Sequence, residues 1–136
     1  MMTFEQLLPA EVPSHWPVCR DLLAKAFRYR MSAHSVDDYY NLLLNGNLQL
    51  FVVKSDATVI AAIVTSIDAG TNAKVCSILS LAGENIPLWI DLVDRHITDF
   101  ANFHECNGIE WVGRPGFTKL VEGFVEDGRV FVKVLR

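Results

Sequence analysis

The sequence lacks the features that mark membrane proteins and nucleic-acid binders. Its longest apolar run, residues 59–64, has the length of a strand, whereas a membrane-spanning helix needs about 18 or more apolar residues. The 12 Lys and Arg residues are outnumbered by 16 Asp and Glu, so the net charge is −4 and the basic excess of a nucleic-acid-binding surface is missing. We therefore expect a soluble protein with neither a membrane nor a nucleic acid as its partner.

The sequence is also poor in cysteine, and it has no internal repeat, low-complexity tract or linker. Cys19, Cys76 and Cys106 are odd in number, far apart and outside any metal-ligand spacing. This pattern predicts reduced thiols in the core, no disulfide and no metal site. With 136 residues, of which 51% are hydrophobic, the chain can build its own core, so residues 1–136 are predicted to form one domain.

The last third of the chain carries the clearest hydrophobic pattern. Apolar residues at three- and four-residue spacing predict a long helix: Ile86, Ile90, Val93, Ile97, Phe100 and Ala101. Asn107-Gly108 is expected to end this helix. A strand at 109–112, a short helix at 117–122 and a hairpin around Asp127-Gly128 follow. We expect Ile97, Phe100, Trp111 and Phe131 to share one core.

The first two thirds predict one strand, two helices and three further strands. The strands are expected at 3–8, 48–53, 58–67 and 74–81. The first helix carries an apolar stripe through Val18 and Leu22, with Pro17 in its first turn, and Ser35 begins the second helix. The resulting order is β-α-α-β-β-β-α-β-α-β-β. This order predicts an α+β domain with a mixed central sheet and helices on both faces.

This order resembles the GNAT superfamily of acyl-CoA-dependent N-acetyltransferases. The sharpest match is Ile109-Glu110-Trp111-Val112-Gly113-Arg114-Pro115-Gly116-Phe117, followed by Leu120 and Gly123-Phe124. These residues look most similar to the small GNAT-like proteins of tailed bacteriophages. The resemblance covers the whole chain in element order and residues 109–124 in detail. It implies a GNAT-like sheet in which the strands at 74–81 and 109–112 diverge at their C-terminal ends to form a cofactor cleft.

The resemblance also locates a cofactor loop, from which this sequence departs. Relatives hold the CoA diphosphate on backbone N–H groups in a Gln/Arg-x-x-Gly-x-Gly/Ala loop before the long helix. Residues 80–85 occupy that place here, and Gly83 matches, but Ser80 and Asn85 do not. Glu84 adds a carboxylate near the expected diphosphate, and Pro87 removes an N–H from the first helical turn. If the loop functions, its cofactor-binding residues are Leu81, Ala82 and Gly83.

No catalytic residue can be assigned from the family pattern. Many relatives place a Tyr four residues before the Gly-Phe pair to protonate the departing thiolate, but Lys119 stands there in this chain. The usual pKa of a Lys, about 10.4, suits that role poorly near neutral pH. Glu84 is the only carboxylate near the expected loop, so no general base is assigned either.

Four residues outside the expected loop are candidates for partner contacts. Arg114 lies in a Gly-Arg-Pro-Gly loop that can approach another surface closely, and Trp16 is the tryptophan expected to be exposed. Arg28 and Arg30 form a local basic spot. His104 and Cys106 have too few neighbouring ligands for a metal site, so His104 is read as a helix-terminal residue.

Two functions remain open. The altered loop and the missing Tyr favour a pseudoenzyme: a non-catalytic, virion-associated structural or assembly protein that needs no cofactor. Its partners would be other virion or assembly proteins, or a second copy, in the phage virion or the host cytoplasm. The alternative is an acetyl-CoA-dependent N-acetyltransferase that acts on a small amine or a protein amine, because backbone groups bind a diphosphate whatever their side chains.

Overall fold

The computed structural model describes residues 1–27, 35–112, 125–127 and 130–135. The described elements are β1 Met2–Leu7, α1 Val12–Phe27, α2 Val36–Leu44, β2 Gln49–Ser55, β3 Thr58–Ala69, β4 Lys74–Gly83, α3 Ile86–Phe103, β5 Gly108–Val112, β6 Val125–Asp127 and β7 Val130–Val134. A 3₁₀ turn, Pro9–Glu11, leads into α1. This is the predicted order, although the short helix expected at 117–122 lies outside the described residues.

The described strands form one mixed sheet in the order β1-β2-β3-β4-β5-β7-β6. β4 and β5 pair in parallel, and α3 is the crossover that parallel neighbours require. The pairs β1–β2, β2–β3, β5–β7 and β6–β7 are antiparallel, so the predicted C-terminal hairpin is confirmed in its two strands. The predicted α+β class with a mixed sheet is confirmed as well.

The chain forms two compact units. The first contains Met1–Thr65 and Ser80–Glu84, and the second contains Ser66–Leu79 and Asn85–Arg136. In the first unit β2 and the middle of β3 are buried on both faces, which is typical of central strands. Its most buried apolar side chains are Val12, Cys19, Leu23, Leu43, Leu50, Phe51, Val52, Val53, Ala61, Ala62, Ile63 and Val64.

The prediction for α1 was wrong about its first turn. The helix begins at Val12, so Pro17 lies inside it rather than at its start. The 3₁₀ turn leads directly into α1, and the Glu11 side chain accepts a 3.0 Å hydrogen bond from the backbone N–H of Leu8. Pro13 occupies the second position of α1, where an N–H needs no intrahelical partner. The helix thus begins five residues before the proline that was expected in its first turn.

The second helix begins as the sequence predicted. Ser35 is the N-cap of α2, and its Oγ accepts a 3.2 Å hydrogen bond from the backbone N–H of Asp38. The carboxylate of Asp38 in turn accepts a 2.8 Å hydrogen bond from the backbone N–H of Ser35. This is a reciprocal capping box in which Asp replaces the more common Glu.

In the second unit α3 buries one stripe and uses its polar side as well. The buried side chains are Trp89, Ile90, Val93, Ile97 and Ala101. Lys133 on β7 donates hydrogen bonds from its Nζ to Asp94 Oδ1 at 3.3 Å and to Thr98 Oγ1 at 3.1 Å. Because Asp94 and Thr98 both belong to α3, these bonds join the helix to the strand β7.

The C-terminus of α3 differs from the prediction. The helix ends at Phe103, and Glu105, not a glycine, takes the left-handed conformation with φ 59°. The backbone N–H of Cys106 bonds the carbonyl of Ala101 at 2.9 Å, and that of Glu105 bonds Asn102 at 3.0 Å. These two bonds make a Schellman motif. The predicted stop at Asn107-Gly108 was wrong because Gly108 already belongs to β5.

The predicted core group is confirmed only for Ile97, which is 1% exposed. Phe100 and Trp111 are half-buried, and the ring of Phe100 lies 4.5 Å from that of His104. The backbone of Trp111 pairs with Phe131, whose side chain lies outside the described residues. The buried aromatic of α3 is Trp89, which sequence periodicity did not distinguish from its neighbours.

Gly108 is required where β5 begins. A Cβ atom added there would lie 2.9 Å from the backbone carbonyl oxygen of Lys133 on the neighbouring strand β7. A backbone oxygen within a sheet cannot move aside without breaking ladder hydrogen bonds. We expect Gly108→Ala to lower the free energy of unfolding by about 1–3 kcal/mol, the usual cost of overpacking. Urea denaturation measures this change.

Gly70→Ala is the matched control for Gly108→Ala. An added Cβ at Gly70 would lie 3.7 Å from the carbonyl oxygen of Ala73, which is an ordinary van der Waals contact. Its effect on unfolding should therefore be much smaller. Equal effects of the two substitutions would contradict the close approach of β5 and β7.

The two faces of α3 should differ sharply in their contribution to stability. Ile97→Ala removes a fully buried side chain and should cost about 2–5 kcal/mol of unfolding free energy. Phe103→Ala removes a ring that is 82% exposed and should change it by less than about 0.5 kcal/mol. Thermal or urea unfolding of both variants tests the assignment, and a large loss from Phe103→Ala would contradict it.

Candidate functional site

The segment expected to be a cofactor loop is mostly strand. β4 continues to Gly83, two residues beyond its predicted end, so Leu81, Ala82 and Gly83 lie in β4. Along this strand Cys76, Ile78, Ser80 and Ala82 are buried while the alternate residues are half-buried. Only Glu84 and Asn85 remain to connect β4 with α3. The alternation of side chains through residue 82 extends the strand into the segment that the family pattern assigned to a loop.

The residue before α3 enters the helix through a left-handed backbone conformation, and its side chain does not cap the helix. Asn85 is the N-cap in the left-handed conformation, φ 55° and ψ 48°, and its side chain makes no cap hydrogen bond. Its carbonyl accepts a 2.9 Å hydrogen bond from the N–H of Leu88. No acidic residue lies in the first turn of α3, and Pro87 occupies it. The positive end of this 18-residue helix is therefore not neutralised by a side chain of its own first turn.

The parallel ladder between β4 and β5 is short. Four residue pairs form it, from Val75 with Gly108 to Ile78 with Trp111. β4 continues to Gly83, and Val112 of β5 is paired with Val130 of β7. Within the described residues the ladder thus ends before either strand does. An unbroken ladder along both strands would have contradicted the predicted divergence, and such a ladder is not present.

Ser80 is a polar exception inside β4. Its side chain is 3% exposed, and its Oγ is a buried atom for which the described part of the chain provides no hydrogen-bond partner. A buried hydroxyl without a partner is costly, by about 1–3 kcal/mol, and such groups are rare in native proteins. Ser80 is the residue that stands in place of the family's Gln or Arg.

A row of polar side chains crosses the adjacent strands β3, β4 and β5 in the second unit. Asp68 Oδ2 accepts hydrogen bonds from Ser66 Oγ at 3.0 Å and from Ser77 Oγ at 3.3 Å. Ser77 is the Cα partner of Glu110 in the parallel ladder, so their side chains lie on the same face of the sheet. Asp68 is exposed, and Ser77 and Glu110 are half-buried. The sequence analysis missed this row because no residue spacing within one segment reveals it.

The predicted interaction residues have mixed outcomes. Trp16 is only half-exposed, and its ring packs against Tyr40 with a 5.0 Å centroid distance, so it is not the freely exposed tryptophan that we expected. Its partner comes from α2, which the pattern of α1 alone does not reveal. Arg28, Arg30, Arg114 and Lys119 lie outside the described residues, so the predictions for them remain predictions.

His104 takes the structural role that was predicted for it. It is the C-cap of α3, and its ring contacts those of Phe100 at 4.5 Å and Phe103 at 5.2 Å. Among the described residues, no group of three or more His, Cys, Asp or Glu is arranged to hold a metal ion. In the same residues no helix combines the length and apolar character needed to cross a bilayer.

The three cysteines are free and buried, as the sequence predicted. Burial raises the pKa of the Cys76 thiol to about 12 and that of Cys19 to about 11, and it also raises the pKa of Cys106. A thiol acts as a nucleophile only when it is ionised. None of the three is therefore suited to nucleophilic catalysis near neutral pH.

Thiol titration and alkaline unfolding should both report this burial. Native protein at pH 8 should react slowly with a thiol reagent, and three thiols should react after denaturation. Because the folded pKa values lie above that of an unfolded thiol, the stabilisation is fully present below about pH 8.5 and is lost as pH rises toward 11–12. Rapid reaction of the native protein would contradict the assigned burial.

No protein-family model and no curated protein sequence matches this chain. Solved structures do match it. One is a chain of the NatC complex bound to Gag peptide and CoA, with 15% identity, 99% of each chain covered and a TM-score of 0.74. Another is a GNAT family acetyltransferase from Brucella melitensis in complex with acetyl-CoA, with 15% identity, 100% of this chain and 89% of that chain covered, and a TM-score of 0.73.

A third is the PaiA N-acetyltransferase from Thermoplasma acidophilum in complex with coenzyme A, with 15% identity, 99% of each chain covered and a TM-score of 0.65. These similarities extend over essentially the whole chain. The protein therefore has the GNAT fold, as its element order implied. Identities of this size establish the fold, and the activity has to be argued from the site.

Proposed function

We propose that this protein is an acyl-CoA-dependent N-acyltransferase that transfers an acetyl group to an amine. The observation that carries the proposal is that, within the described residues, the β4–β5 ladder ends at Ile78 and Trp111 while β4 continues toward α3, whose N-cap residue Asn85 makes no side-chain cap hydrogen bond. Solved structures of the same fold that contain CoA or acetyl-CoA support it. Acetyl-CoA is here a substrate, and the chain has to supply its binding groups and the acid–base chemistry.

The end of β4 offers backbone groups for the pantetheine arm. Beyond Ile78 the strand leaves the parallel ladder with β5 but keeps its extended conformation through Gly83. The pantetheine arm contains two amides, which can hydrogen-bond to a strand edge as a peptide does. Leu81, Ala82 and Gly83 would then act through their backbone groups. This keeps their predicted role and changes its structural basis from a loop to a strand.

At the start of α3 the backbone N–H groups attract the CoA diphosphate, whereas the negative charge of one side chain, Glu84, repels it. A long helix without a side-chain cap presents N–H groups and a partial positive charge, which attract anions. Pro87 removes one of those donors. Glu84 is exposed in the connection before α3, so its negative charge weakens the attraction without filling the site. The backbone therefore fits the ligand, with a reduced affinity.

In the proposed reaction a neutral amine attacks the thioester carbonyl carbon. The nitrogen lone pair forms the new C–N bond, the C–S bond breaks, and the sulfur leaves with the electron pair as a thiolate. The proton lost from nitrogen balances the proton gained by sulfur. The chain therefore has to bring an amine, in its uncharged form, next to the thioester.

The second candidate is the non-catalytic, virion-associated role, in a phage virion or a host cytoplasm. The observation that favours it is Glu84, because a carboxylate beside an anion site opposes CoA. The resemblance to phage proteins belongs to the same hypothesis. The comparisons support the acetyltransferase alternative better, since the similar structures named above contain CoA or acetyl-CoA. Binding of acetyl-CoA separates the two functions.

Titration with acetyl-CoA, followed by thermal unfolding, tests the proposed function. A ligand bound only by the native state adds RT ln(1 + [L]/Kd), about 2.7 kcal/mol at a hundredfold excess over Kd. For a domain of this size that gain should raise the Tm by roughly 10 °C. Thiol release in the presence of a panel of amines should accompany it. No shift at millimolar acetyl-CoA and no thiol release would favour the virion-associated role.

Glu84→Gln should tighten acetyl-CoA binding. Removing an exposed charge beside the diphosphate should lower Kd by about two- to fivefold, and the gain should shrink as salt screens the charge. Glu105→Gln is the matched control, because it removes an exposed carboxylate at the other end of α3, roughly 27 Å away. Equal effects of both variants would mean that overall charge, and not the start of α3, governs binding.

A further inference from the structure

We propose that Glu110 is the general base that deprotonates the acceptor amine. This inference rests on the proposed acetyltransferase function and names a residue for a step that the family pattern left unassigned in this chain. It is drawn from the pairing of β4 with β5 and from the face of the sheet on which Glu110 lies. Both observations belong to the second compact unit.

Glu110 lies next to the point where the parallel ladder ends. It pairs with Ser77, and the following pair, Ile78 with Trp111, is the last one. One residue of strand spans roughly 3.3 Å, so the carboxylate is within side-chain reach of the end of the ladder. In the proposed function, the pantetheine arm binds the backbone of β4 from this point onward. A base at this position can reach an amine that approaches the thioester.

The face on which Glu110 lies is not the one that α3 occupies. Ile109 pairs with Lys133, and Lys133 reaches Asp94 and Thr98 on α3, so the side chains of Ile109 and Lys133 are on the helix side. Successive residues of a strand point to opposite faces. Glu110 therefore lies on the other face with Ser77, and it is half-buried there. A half-buried carboxylate can both bind an amine and return its proton to water.

The other carboxylates of this region are less suitable. Asp94 forms a partly buried ion pair with Lys133 on the helix side of the sheet. Asp68 shares the face of Glu110 but already accepts two hydroxyl hydrogen bonds on one oxygen, from Ser66 and Ser77. On the face of Glu110, β3 contributes the titratable group of Asp68 and β4 contributes the hydroxyl of Ser77. The residue of β7 that pairs with Glu110 is Val132. The negative charges of Asp68 and Glu110 favour a cationic amine as the acceptor.

The acceptor arrives as R–NH3⁺ and gives one proton to the Glu110 carboxylate, which passes it to solvent. The uncharged amine then attacks the thioester, the C–N bond forms and the C–S bond breaks. The second nitrogen proton neutralises the departing thiolate. The products are the acetamide, CoA as the thiol and one proton in solution, with no further reactant.

Glu110→Gln tests the inference, because it keeps the size of the side chain and removes the base. Activity should be measured as CoA release from acetyl-CoA with a primary-amine acceptor, at several pH values. At pH 7 we expect kcat/KM to fall by about 10²–10⁴-fold, the usual contribution of general base catalysis. The loss should shrink as pH approaches the pKa of the amine itself, because the acceptor then arrives already deprotonated. Glu105→Gln should retain the parental profile.

Acetyl-CoA binding separates this inference from the proposed function. Thermal shifts with acetyl-CoA should be equal for the parent and Glu110→Gln, since the base contacts the amine and not the cofactor. If the parent neither binds acetyl-CoA nor releases thiol, the proposed function fails, and with it the premise of this inference. If the parent is active and Glu110→Gln has an unchanged pH profile, the assignment of Glu110 is wrong while the proposed function stands. Asp68→Asn, measured alongside, would then show whether its carboxylate supplies the base.

Discussion

The structure depends on the short parallel ladder between β4 and β5. Parallel neighbours require a crossover, so this pairing places α3 between the two strands in the chain. Four pairs set the register, and among the described residues β4 continues to Gly83, beyond the last of these pairs. Backbone groups released from a ladder have to be satisfied by water, by side chains or by a ligand. The early end of this ladder thus makes an extended, amide-containing ligand chemically reasonable at β4.

At each end of α3 a residue other than glycine takes the left-handed backbone conformation. Asn85 precedes the helix with φ 55°, and Glu105 follows it with φ 59°. Asn tolerates this conformation better than most residues, whereas Glu does not. At the C-terminus the Schellman hydrogen bonds and the burial of Cys106 offset the strain. At the N-terminus the Asn85 side chain makes no cap hydrogen bond, so it does not offset the strain in this way.

Local patterns predicted the elements well and the site poorly. The capping box of Ser35, the strands β2–β4 and the C-terminal hairpin are encoded within short stretches, so the sequence alone predicts them. The end of β4 was predicted at residue 81, two residues early. The row of Asp68, Ser77 and Glu110 could not be predicted, since it joins three strands and depends on the β4–β5 register. Side-chain burial also depends on neighbours distant in sequence, as for Trp16, whose ring packs against Tyr40 of α2.

Glu84 has a physical explanation that does not require a loss of function. It lies immediately before the N-cap of α3, where a negative charge interacts favourably with the helix dipole. Asn85 makes no side-chain cap hydrogen bond and the first turn of α3 has no acidic residue, so Glu84 is the acidic residue nearest in sequence to the start of the helix. The same charge opposes a diphosphate at the same N–H groups. Under the proposed function, Glu84 would therefore lower the affinity for the diphosphate while it stabilises the unliganded helix, and a lowered affinity does not amount to a lost site.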